Sequence, residues 1–574
     1  MKKTTCPLDC FDGCSIEVDE NLKLKGDKSH PITKGYLCHN MNNFHNFPRI
    51  KEATLYGKSI SIDKAIDTIK ERLCEKMLYH NGSGNLGVMQ GITKIFFAEN
   101  GADIAKGSLC EGAGDYGIKE GRGASLSWSP ERVDESEVVV IWGQNPDITN
   151  SHVLPSLKNK TVIVIDPYST NIAKRADLHV EVKPRGDIYL AMLFSRMAYM
   201  NQMEDEEFIK NRTENFDYFI DFVNSKPIVM LENRSGVSCL EVDKILSLIK
   251  GKRVSFLVGL GVQKYSFGHS VLRAIDSFVA MLGLFGKKGC GVGYIADSAF
   301  GFKSIFSIKS KRVCKPLVDF GNYDLVFIQG GNPVNQMPCT PKVKEGLEKA
   351  KFVVYFGLHE NETSKMADLI IPAKTFLEKD DLKLSYGHEY IGFMPKIVNS
   401  NIGISEYDLC KKLGTDLKSE KEYIDEIFSS NSVEKDGRYI SKTYENIPYE
   451  KEFYTDSGKF EFFDDFDDDF SEEDLDEGFY LLSAKYNKSL NSQFETEQFL
   501  HVPTSLGLRY GDKLKLSNGT YECEYVVKND ENLRDDCMLL YSGHKNANML
   551  TPYAKSEEGE AAIFQEVKCH IVSS

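Results

Sequence analysis

Two stretches of the chain share one pattern of apolar and polar positions. Residues 138–142 and 325–328 are continuous apolar runs, and each run leads into a Gly-x-Asn-Pro turn. A second apolar run follows each turn, at residues 161–165 and 352–356, and each copy then continues to a Thr and an Ala-Asp-Leu triplet. Short apolar runs that are broken by Gly and Pro and separated by helical stretches predict parallel strands. The pattern therefore predicts an α/β fold built from two related halves.

The duplicated turns are the first candidate for chemistry. Loops at the carboxyl ends of parallel strands are where α/β proteins bind ligands, so two copies indicate two related nucleotide sites that face one another. A single copy is also explained as a tight turn, because Asn and Gly tolerate left-handed backbone and Pro fixes the next φ. The matching downstream elements favour a site. The chain has no Gly-x-Gly-x-x-Gly fingerprint and no P-loop, so we expect neither NAD nor ATP.

Composition narrows the class of protein. The chain has 574 residues, enough for several domains. Its formal net charge of -15 argues against a general nucleic-acid binder. No apolar run reaches membrane-spanning length, and the N-terminus, MKKTTCPLDC, has neither an apolar signal region nor a twin-Arg pair. We expect a cytoplasmic protein without direct membrane insertion, whose 14 cysteines are thiols or metal ligands.

Four of the cysteines stand together at the start of the chain. Cys6, Cys10 and Cys14 have C-x3-C-x3-C spacing, and Cys38 follows later. Three thiolates on one loop and a fourth that returns from farther along are typical of a [4Fe-4S] cluster. Zinc also binds thiolates, although its motifs more often contain C-x2-C pairs, and structural thiols clustered by chance are a third possibility. The intervening residues predict a small strand pair that brings Cys38 back to the other three.

A series of motifs resembles the bis-pterin-guanine-dinucleotide superfamily of dimethyl sulfoxide reductase, formate dehydrogenase and nitrate reductase. In chain order they are CPLDCFDGC, GYLC, WGQNP, DPYST, PRGD, VGLGVQ, GGNP, ENETSKMADLIIPA, LEKDDLKLSYGH, SGKFEF, NSQFE, YGDKLKLSNG and NMLTP. Each motif is weak by itself, but together they span nearly the whole chain in family order. The resemblance implies a multidomain α/β fold with an N-terminal [4Fe-4S] domain, two pseudo-symmetric Rossmann-like α/β domains and a C-terminal β-barrel.

The resemblance also implies where the domains begin and end. The expected parts are 1–50 for the [4Fe-4S] domain, 51–134 with 291–462 for one α/β dinucleotide-binding domain, 135–290 for the second, 463–477 for an acidic linker, and 478–574 for a β-barrel that binds molybdopterin dinucleotide. The acidic run in the linker is expected to be solvated. A docking surface for a basic electron carrier is the alternative.

The implied cofactors are the [4Fe-4S] cluster, bis-molybdopterin guanine dinucleotide, and Mo or W. In the family, the protein ligand of that metal lies before a helix in a Gly/Ala-rich stretch, which here corresponds to Cys110. A thiolate suits a soft Mo or W centre, whereas a buried structural Cys is the alternative. Glu111 is a candidate proton shuttle or a solvated surface residue. His388 is a candidate for the active-site funnel or a hydrogen-bonded structural histidine.

The same resemblance assigns residues to the two dinucleotides. They are Gly143, Asn145, Asp166, Asp187, Gly259, Gly261, Gly330, Asn332, Thr363, Asp381 and Asn548. Ionised carboxylates only accept hydrogen bonds, which suits ribose hydroxyls and guanine nitrogens. Helix caps and turns are the alternative role for these residue types.

Two departures from the family pattern affect the expected function. Asn40 stands where many members have a Lys between cluster and pterin, and no His follows Cys110, which weakens formate as the substrate. The expected activity is two-electron oxidation or reduction of a small-molecule substrate of the formate, nitrate, sulfur-oxyanion or S/N-oxide class, with electrons exchanged with a protein partner. The alternatives are a non-catalytic iron-sulfur electron conduit, a non-redox hydratase of the same family and a zinc-stabilised binding protein.

Overall fold

The computed structural model describes residues 1–82, 87–295, 297, 300–306, 308–466 and 478–572. The chain begins with an antiparallel sheet in the order β1 (Lys2–Thr5), β2 (Ser15–Val18) and β3 (Leu24–Gly26), followed by the short helix α1 (His39–Asn42). Strand β2 pairs with both β1 and β3, as the alternating apolar residues of this segment require. The predicted strand pair is thus part of a three-stranded sheet.

The larger of two parallel sheets is assembled from distant parts of the chain. Its strand order within the described residues is β14 (Arg312–Cys314), β7 (Asp103–Lys106), β6 (Met77–Asn81), β15 (Leu325–Gln329), β16 (Val353–Gly357), β17 (Leu369–Pro372), β4 (Ala53–Leu55) and β5 (Lys58–Ile60). Strand β4 pairs antiparallel with both β17 and β5; the other neighbours are parallel. The helices that follow or flank these strands are α2 (Ile62–Lys70), α3 (Gly91–Glu99), α13 (Pro333–Gln336), α14 (Thr340–Lys349), α15 (Glu406–Leu413) and α16 (Glu420–Asn431).

The second parallel sheet comes from one continuous part of the chain. Its order is β10 (Leu178–Val180), β9 (Thr161–Ile165), β8 (Val138–Trp142), β12 (Val254–Val258) and β13 (Gly291–Gly293). The neighbouring helices are α4 (Gly112–Arg122), α5 (Pro130–Asp134), α6 (Pro146–Thr149), α7 (Asp187–Met200), α8 (Glu206–Arg212), α9 (Phe216–Ser225), α10 (Ile228–Ser235), α11 (Cys239–Ile249) and α12 (Gly268–Met281). Every residue of β8 and β12 is buried, as expected for strands covered on both faces.

The predicted duplication is visible in hydrogen bonds as well as in strand order. Strands β8, β9 and β10 are neighbours in one sheet, and β15, β16 and β17 are neighbours in the other. Asp177 accepts a hydrogen bond from the Val162 backbone N–H at 2.8 Å, and Asp368 does the same for Val353 at 2.8 Å. The aspartate of each Ala-Asp-Leu triplet therefore ties the strand that follows it to the neighbouring strand of its sheet.

The remaining strands lie outside the two parallel sheets. A four-stranded sheet has the order β18 (Asp381–Lys383), β19 (Tyr390–Met394), β21 (Arg438–Ser441) and β20 (Ser432–Lys435); β11 (Thr213–Glu214) pairs with β22 (Phe460–Glu461), and β24 (Ser489–Leu490) with β25 (Gln493–Phe494). A closed barrel is formed by β23 (Phe479–Ala484), β29 (Cys537–Tyr541), β26 (Leu500–Val502), β28 (Glu522–Asn529), β27 (Lys513–Ser517) and β30 (Lys568–Ile571). This barrel and the two parallel sheets confirm the predicted fold class.

Two details differ from the expected domain limits. Strand β13 extends the five-stranded sheet to Gly293, beyond the expected boundary at residue 290. Phe460, Phe462, Phe463 and Phe466 are buried in the apolar core of that same sheet, although the first two were expected in the other α/β domain and the last two in a solvated linker. Residues 467–477, the rest of the expected linker, lie outside the described residues. The other limits stay predictions.

The helices of the described residues were also compared with the requirements of a bilayer. None of them is long and apolar enough to cross a membrane.

Candidate active site

Strands β1 and β2 hold the three clustered cysteines on one loop. Cys6 follows β1 and Cys14 precedes β2, and the Cys6 backbone N–H donates to the Cys14 carbonyl at 2.8 Å. Cys38 is the residue before the first turn of α1. Cys6 and Cys14 are buried, whereas Cys10 and Cys38 are half-buried. The chain thus brings all four predicted cluster ligands to one end of the N-terminal sheet.

The four thiols influence one another electrostatically. Burial raises the pKa of every one of them, that of Cys6 to about 11. For Cys14, the neighbouring thiolates of Cys6, Cys10 and Cys38 raise the pKa further. Iron displaces such protons, because the thiolate is the ligand. In the described part of the chain, no three His, Cys, Asp or Glu side chains converge on a point that suits a single metal ion. Four thiolates, three on one loop and one at the start of α1, fit a cubane, which spreads its ligands over four irons.

Polar groups from other elements hold this cysteine loop. The Lys383 ammonium on β18 donates to the Leu8 carbonyl, and its charge lowers the pKa of Cys6 against the effect of burial. His152 Nδ1 lies 2.7 Å from the Asp12 carboxylate, and its Nε2 lies 3.8 Å from Cys14 Sγ. Lys383 and His152 were not singled out from the sequence, because each lies far along the chain from the cysteines.

His388 also contacts the cysteine loop. Its Nε2 lies 2.6 Å from the Asp12 carbonyl, which only accepts, and its Nδ1 accepts from the Tyr390 backbone N–H at 3.2 Å. Burial lowers the pKa of His388, in keeping with a neutral ring that donates through Nε2. Nε2 therefore holds the cysteine loop, and Nδ1 fixes the orientation of the ring. The geometry favours the structural role over a place in the substrate funnel.

Cys110 lies between β7 and α4, as the resemblance implied. The Ser108 hydroxyl accepts from the Cys110 backbone N–H at 2.9 Å. Gln263 spans the start of the helix, since its amide N–H donates to the Cys110 carbonyl at 2.8 Å and its amide oxygen accepts from the Gly114 N–H at 2.9 Å. The Lys264 ammonium donates to the Leu109 carbonyl at 2.9 Å. Ser108, Gln263 and Lys264 thereby hold the backbone of this loop.

The charges around Cys110 come from several domains. Burial is the main cause that raises the pKa of the Cys110 thiol; Glu111 and Asp9 add to it, and Lys264 and Lys485 oppose it. Burial lowers the pKa of Lys264 to about 8. Asp9 belongs to the cysteine loop, and its carboxylate accepts from the Tyr386 hydroxyl at 3.1 Å. Asp9 is therefore close enough to Cys110 for its charge to act on the thiol, so the cysteine loop and the Cys110 loop are neighbours.

The first Gly-x-Asn-Pro loop has the features of a ligand cradle. Gly143 has a φ of 58°, and a Cβ there would meet the Val262 side chain at 2.5 Å. Gly259 is required by the same loop, because its Cβ would lie 2.0 Å from the Gly143 carbonyl, and Gly261 approaches that carbonyl as well. The buried Asn145 Oδ1 finds no hydrogen-bond partner among the described residues. A buried amide of this kind normally has a partner, so the loop fits a bound polar group.

Two carboxylic acids lie near that loop. Asp187 accepts from the Trp142 indole N–H at 2.7 Å, and Asp166 accepts from the Tyr168 backbone N–H at 2.9 Å. Burial raises the pKa of each to about 7, and the charge of Asp187 adds to the rise at Asp166. The pair is thus short of cationic or donor partners. Hydroxyl or amino groups of a dinucleotide would supply such donors.

The second loop repeats the backbone but not the side-chain contacts. Gly330 has a φ of 57° and open space where a Cβ would be. Asn332 is fully engaged: its amide N–H groups donate to Glu362 at 2.7 Å and Ser492 at 3.0 Å, and its oxygen accepts from the Thr363 hydroxyl at 2.9 Å. Asn332 and Thr363 therefore fix the shape of this loop. Any contact with a dinucleotide would come from the backbone beside them.

The last two predicted binding residues lie on other elements. Asp381 on β18 accepts from the Met89 backbone N–H at 2.9 Å, while its buried Oδ2 has no partner within the described ranges, which exclude residues 83–86. Burial raises the pKa of Asp381 to about 7. Asn548 donates to the Asn335 carbonyl at 2.6 Å, so it joins the barrel domain to the second loop. The roles of these residues toward a dinucleotide stay predictions.

Comparison with known proteins gives the relationship of the chain. A model of the molybdopterin oxidoreductase family matches residues 57–403, and a model of the molybdopterin oxidoreductase Fe4S4 domain matches residues 1–47. The probable oxidoreductase YyaE of Bacillus subtilis is 27% identical over 80% of this chain and 78% of its own length. The F420-dependent formate dehydrogenase subunit alpha of Methanocaldococcus jannaschii is 23% identical over 78% of this chain and 74% of its own length.

Two further comparisons support less, one because it covers less of the relative's length and the other because the sequence identity is low. The nitrate reductase of Shewanella frigidimarina is 24% identical over 64% of this chain, but only 47% of its own length is covered. Among solved structures, acetylene hydratase from Pelobacter acetylenicus superimposes with a TM-score of 0.75 and 16% identity, covering 95% of this chain and 93% of that chain, which is a likeness of fold. The match to the family model over more than half of the chain shows that this protein belongs to the molybdopterin oxidoreductase family, as an enzyme with a [4Fe-4S] cluster and molybdopterin with Mo or W.

Proposed function

We propose that the enzyme oxidises or reduces a small substrate by two electrons at Mo or W, with Cys110 as the protein ligand of the metal. The observation that carries this proposal is the position of Asp9. It lies on the loop of the cluster cysteines, and its charge raises the pKa of Cys110. A cluster and a metal centre in such proximity suit electron exchange between them. When bound, the pterin-held metal supplies the two-electron chemistry, and the protein supplies position and electrostatics.

The residues around Cys110 have distinct roles in this proposal. Gln263 and Lys264 bind the backbone carbonyls of Leu109 and Cys110, so they fix the direction of the thiol. Their positive and polar groups also favour the thiolate that a soft metal requires. Glu111 follows directly and is the group that we assign to proton transfer to or from the substrate. The charge of Glu111 raises the pKa of the buried Lys264 and of the half-buried Lys315, against the effect of burial.

The cofactor in this proposal is bis-molybdopterin guanine dinucleotide. The unpartnered amide of Asn145 and the acids Asp166 and Asp187 support one dinucleotide at the first loop. The open backbone at Gly330 and the unpartnered oxygen of Asp381 support the other. The two sites belong to the two halves of the duplication, which accounts for two copies of one cofactor.

The substrate is proposed to be small and of the formate, nitrate, sulfur-oxyanion or S/N-oxide class. Formate dehydrogenases and nitrate reductases stand among the relatives of the chain. Electrons would pass singly through the [4Fe-4S] cluster to or from a protein partner. A dye-linked assay of these substrates with the anaerobically purified enzyme separates the classes.

Metal analysis and one substitution test the site. We expect about four Fe and about one Mo or W per chain, since one cubane and one pterin-bound metal are proposed. Cys110→Ala should abolish turnover and leave the iron content unchanged, whereas Cys239→Ala, a matched change of a half-buried thiol on α11, should leave both unchanged. Full turnover in Cys110→Ala would remove this residue from the metal, and zinc as the sole metal would refute the proposal.

A further inference from the structure

The surface next to the cysteine loop differs in charge from the rest of the chain. Between Asp27 and Glu52 the sequence contains no Asp or Glu. Because 85 of the 574 residues are Asp or Glu, a segment of this length would carry between three and four acidic residues on average. The same segment contains Cys38 and several basic residues, in a protein whose formal net charge is -15. The segment that holds the fourth cluster ligand is therefore basic, in a protein that is acidic overall.

Within this segment, exposed basic side chains surround one exposed aromatic ring. Tyr36 is 52% exposed. Lys34 and Lys28 are exposed, and Lys28 lies over the backbone of Gly35, between Lys34 and Tyr36 in space. Neither lysine forms an ion pair with any acid in the described part of the chain. We call Lys28, Lys34, Tyr36 and the exposed His39 the Tyr36 surface.

The Tyr36 surface leads directly to the cluster ligands. The Tyr36 ring meets the His152 ring edge-on, with centroids 5.2 Å apart and an interplanar angle of 83°. His152 Nε2 in turn lies 3.8 Å from Cys14 Sγ. A single buried ring therefore separates the exposed aromatic from a cluster ligand. On the other side, His39 follows Cys38 in the chain, so the surface covers two of the four ligands.

We propose that the Tyr36 surface docks a small acidic electron-transfer protein. The inference rests on the proposed function in one respect, namely that electrons pass through the [4Fe-4S] cluster to or from a protein partner. An acidic carrier would be repelled by the net negative charge of this molecule and attracted to the basic segment beside the cluster cysteines, and such complementarity steers association and fixes orientation. Exposed aromatic rings are common at the centre of protein interfaces. Tyr36 would place the carrier's redox group beside the path through His152 to Cys14.

The test measures electron transfer from the cluster itself. Holoenzyme is reduced, freed of reductant and mixed in a stopped-flow instrument with an oxidised acidic [2Fe-2S] ferredoxin or, separately, with a basic cytochrome c. We expect the rate constant for the ferredoxin to fall steeply as salt is added, and that for cytochrome c not to fall. Lys28→Glu/Lys34→Glu should slow that transfer by about tenfold or more at low salt and by far less at high salt. Lys244→Glu, on an exposed position of α11, should not change it.

Binding and aromatic variants complete the test. The dissociation constant for ferredoxin should rise in the Lys28→Glu/Lys34→Glu variant, and Tyr36→Ser should slow transfer whereas Tyr36→Phe should not. Equal ferredoxin rates in the parent and the double variant, or a ferredoxin rate that does not fall as salt is added, would overturn the proposal. The Cys110→Ala variant keeps the cluster, so carrier exchange in that variant is measured independently of turnover. Loss of the proposed chemistry and loss of the docking site are thus separate results.

Discussion

Arg122 and Asp276 form a buried ion pair whose removal has a predictable cost. Arg122 lies on α4, the helix that begins just after Cys110, and Asp276 lies on α12. Their side chains are 1% and 0% exposed, and Arg122 Nε donates to Asp276 Oδ2 at 2.8 Å. The guanidinium also donates to the Val292 carbonyl at 3.1 Å and lies over the Phe285 ring at 5.3 Å.

Asp276→Ala would leave the Arg122 charge buried without a counter-charge. Breaking a buried pair in this way costs about 3–5 kcal/mol. For a domain of about 150–250 residues, 1 kcal/mol corresponds to about 2–4 °C, so the unfolding midpoint should fall by about 6–20 °C. The double variant Arg122→Met/Asp276→Leu buries no charge and should lie within about 1–2 kcal/mol of the parent, on either side.

The chain offers a domain-specific signal for this measurement. Its two tryptophans, Trp128 and Trp142, are 3% and 0% exposed and both contact the five-stranded sheet. Thermal unfolding followed by tryptophan fluorescence therefore reports the part of the molecule that contains α12. If the double variant were as unstable as Asp276→Ala, the cost would come from lost packing and the reasoning from charge would be wrong. A loss below about 1 kcal/mol in Asp276→Ala would show that water reaches the pair.

Three further outcomes are expected. Because the folded pKa of Asp187, about 7, lies above the unfolded value, its contribution to stability is complete below the unfolded pKa and is lost as pH rises through the folded pKa. The cofactor-free protein should thus be less stable at pH 8 than at pH 6, by about 1 kcal/mol from this group, and the difference should shrink in Asp187→Asn; an unchanged profile in denaturant titrations would contradict it. Lys383→Met removes a cation near Cys6 and should lower the cluster potential by roughly 40 mV, which corresponds to about 1 kcal/mol for one electron, whereas Lys383→Arg should not; EPR-monitored redox titration checks this. Gly259→Ala should reduce the pterin content of the purified enzyme, because its Cβ would lie 2.0 Å from the Gly143 carbonyl; full pterin occupancy would show that the loop adapts.

The sequence was sufficient for the architecture because its signals are local. Apolar runs with Gly-x-Asn-Pro turns predicted the parallel strands, and the matched Ala-Asp-Leu triplets predicted the duplication. The structure adds a reason for the triplets, since Asp177 and Asp368 each bind the backbone of a neighbouring strand. The cysteine spacing likewise predicted the [4Fe-4S] domain, which the family comparison confirms.

The surroundings of the site were less accessible to sequence reasoning. Lys383 reaches the cysteine loop from a strand several hundred positions later, and its motif, LEKDDLKL, gives no indication of that contact. Lys264 follows directly after the recognised VGLGVQ motif and could have been inferred from it. Asn40, where a Lys was expected, donates to the Ser489 carbonyl at 3.3 Å, while Lys383 brings a cation to the cluster from another direction. Such replacements depend on three-dimensional contacts.

The connectivity of the two parallel sheets has a consequence for synthesis on the ribosome. Strand β6 pairs with β15, so Met77 can form its backbone contacts only after Leu325 has left the ribosomal exit tunnel. The five-stranded sheet is complete by Gly293 and can fold in that interval as a unit. Until then, β6 and β7 expose backbone N–H and C=O groups without strand partners, and these groups can pair with strands of other chains. Newly made chains should therefore depend on holding chaperones during the middle of translation, and a pause after residue 372 would matter less than one before it.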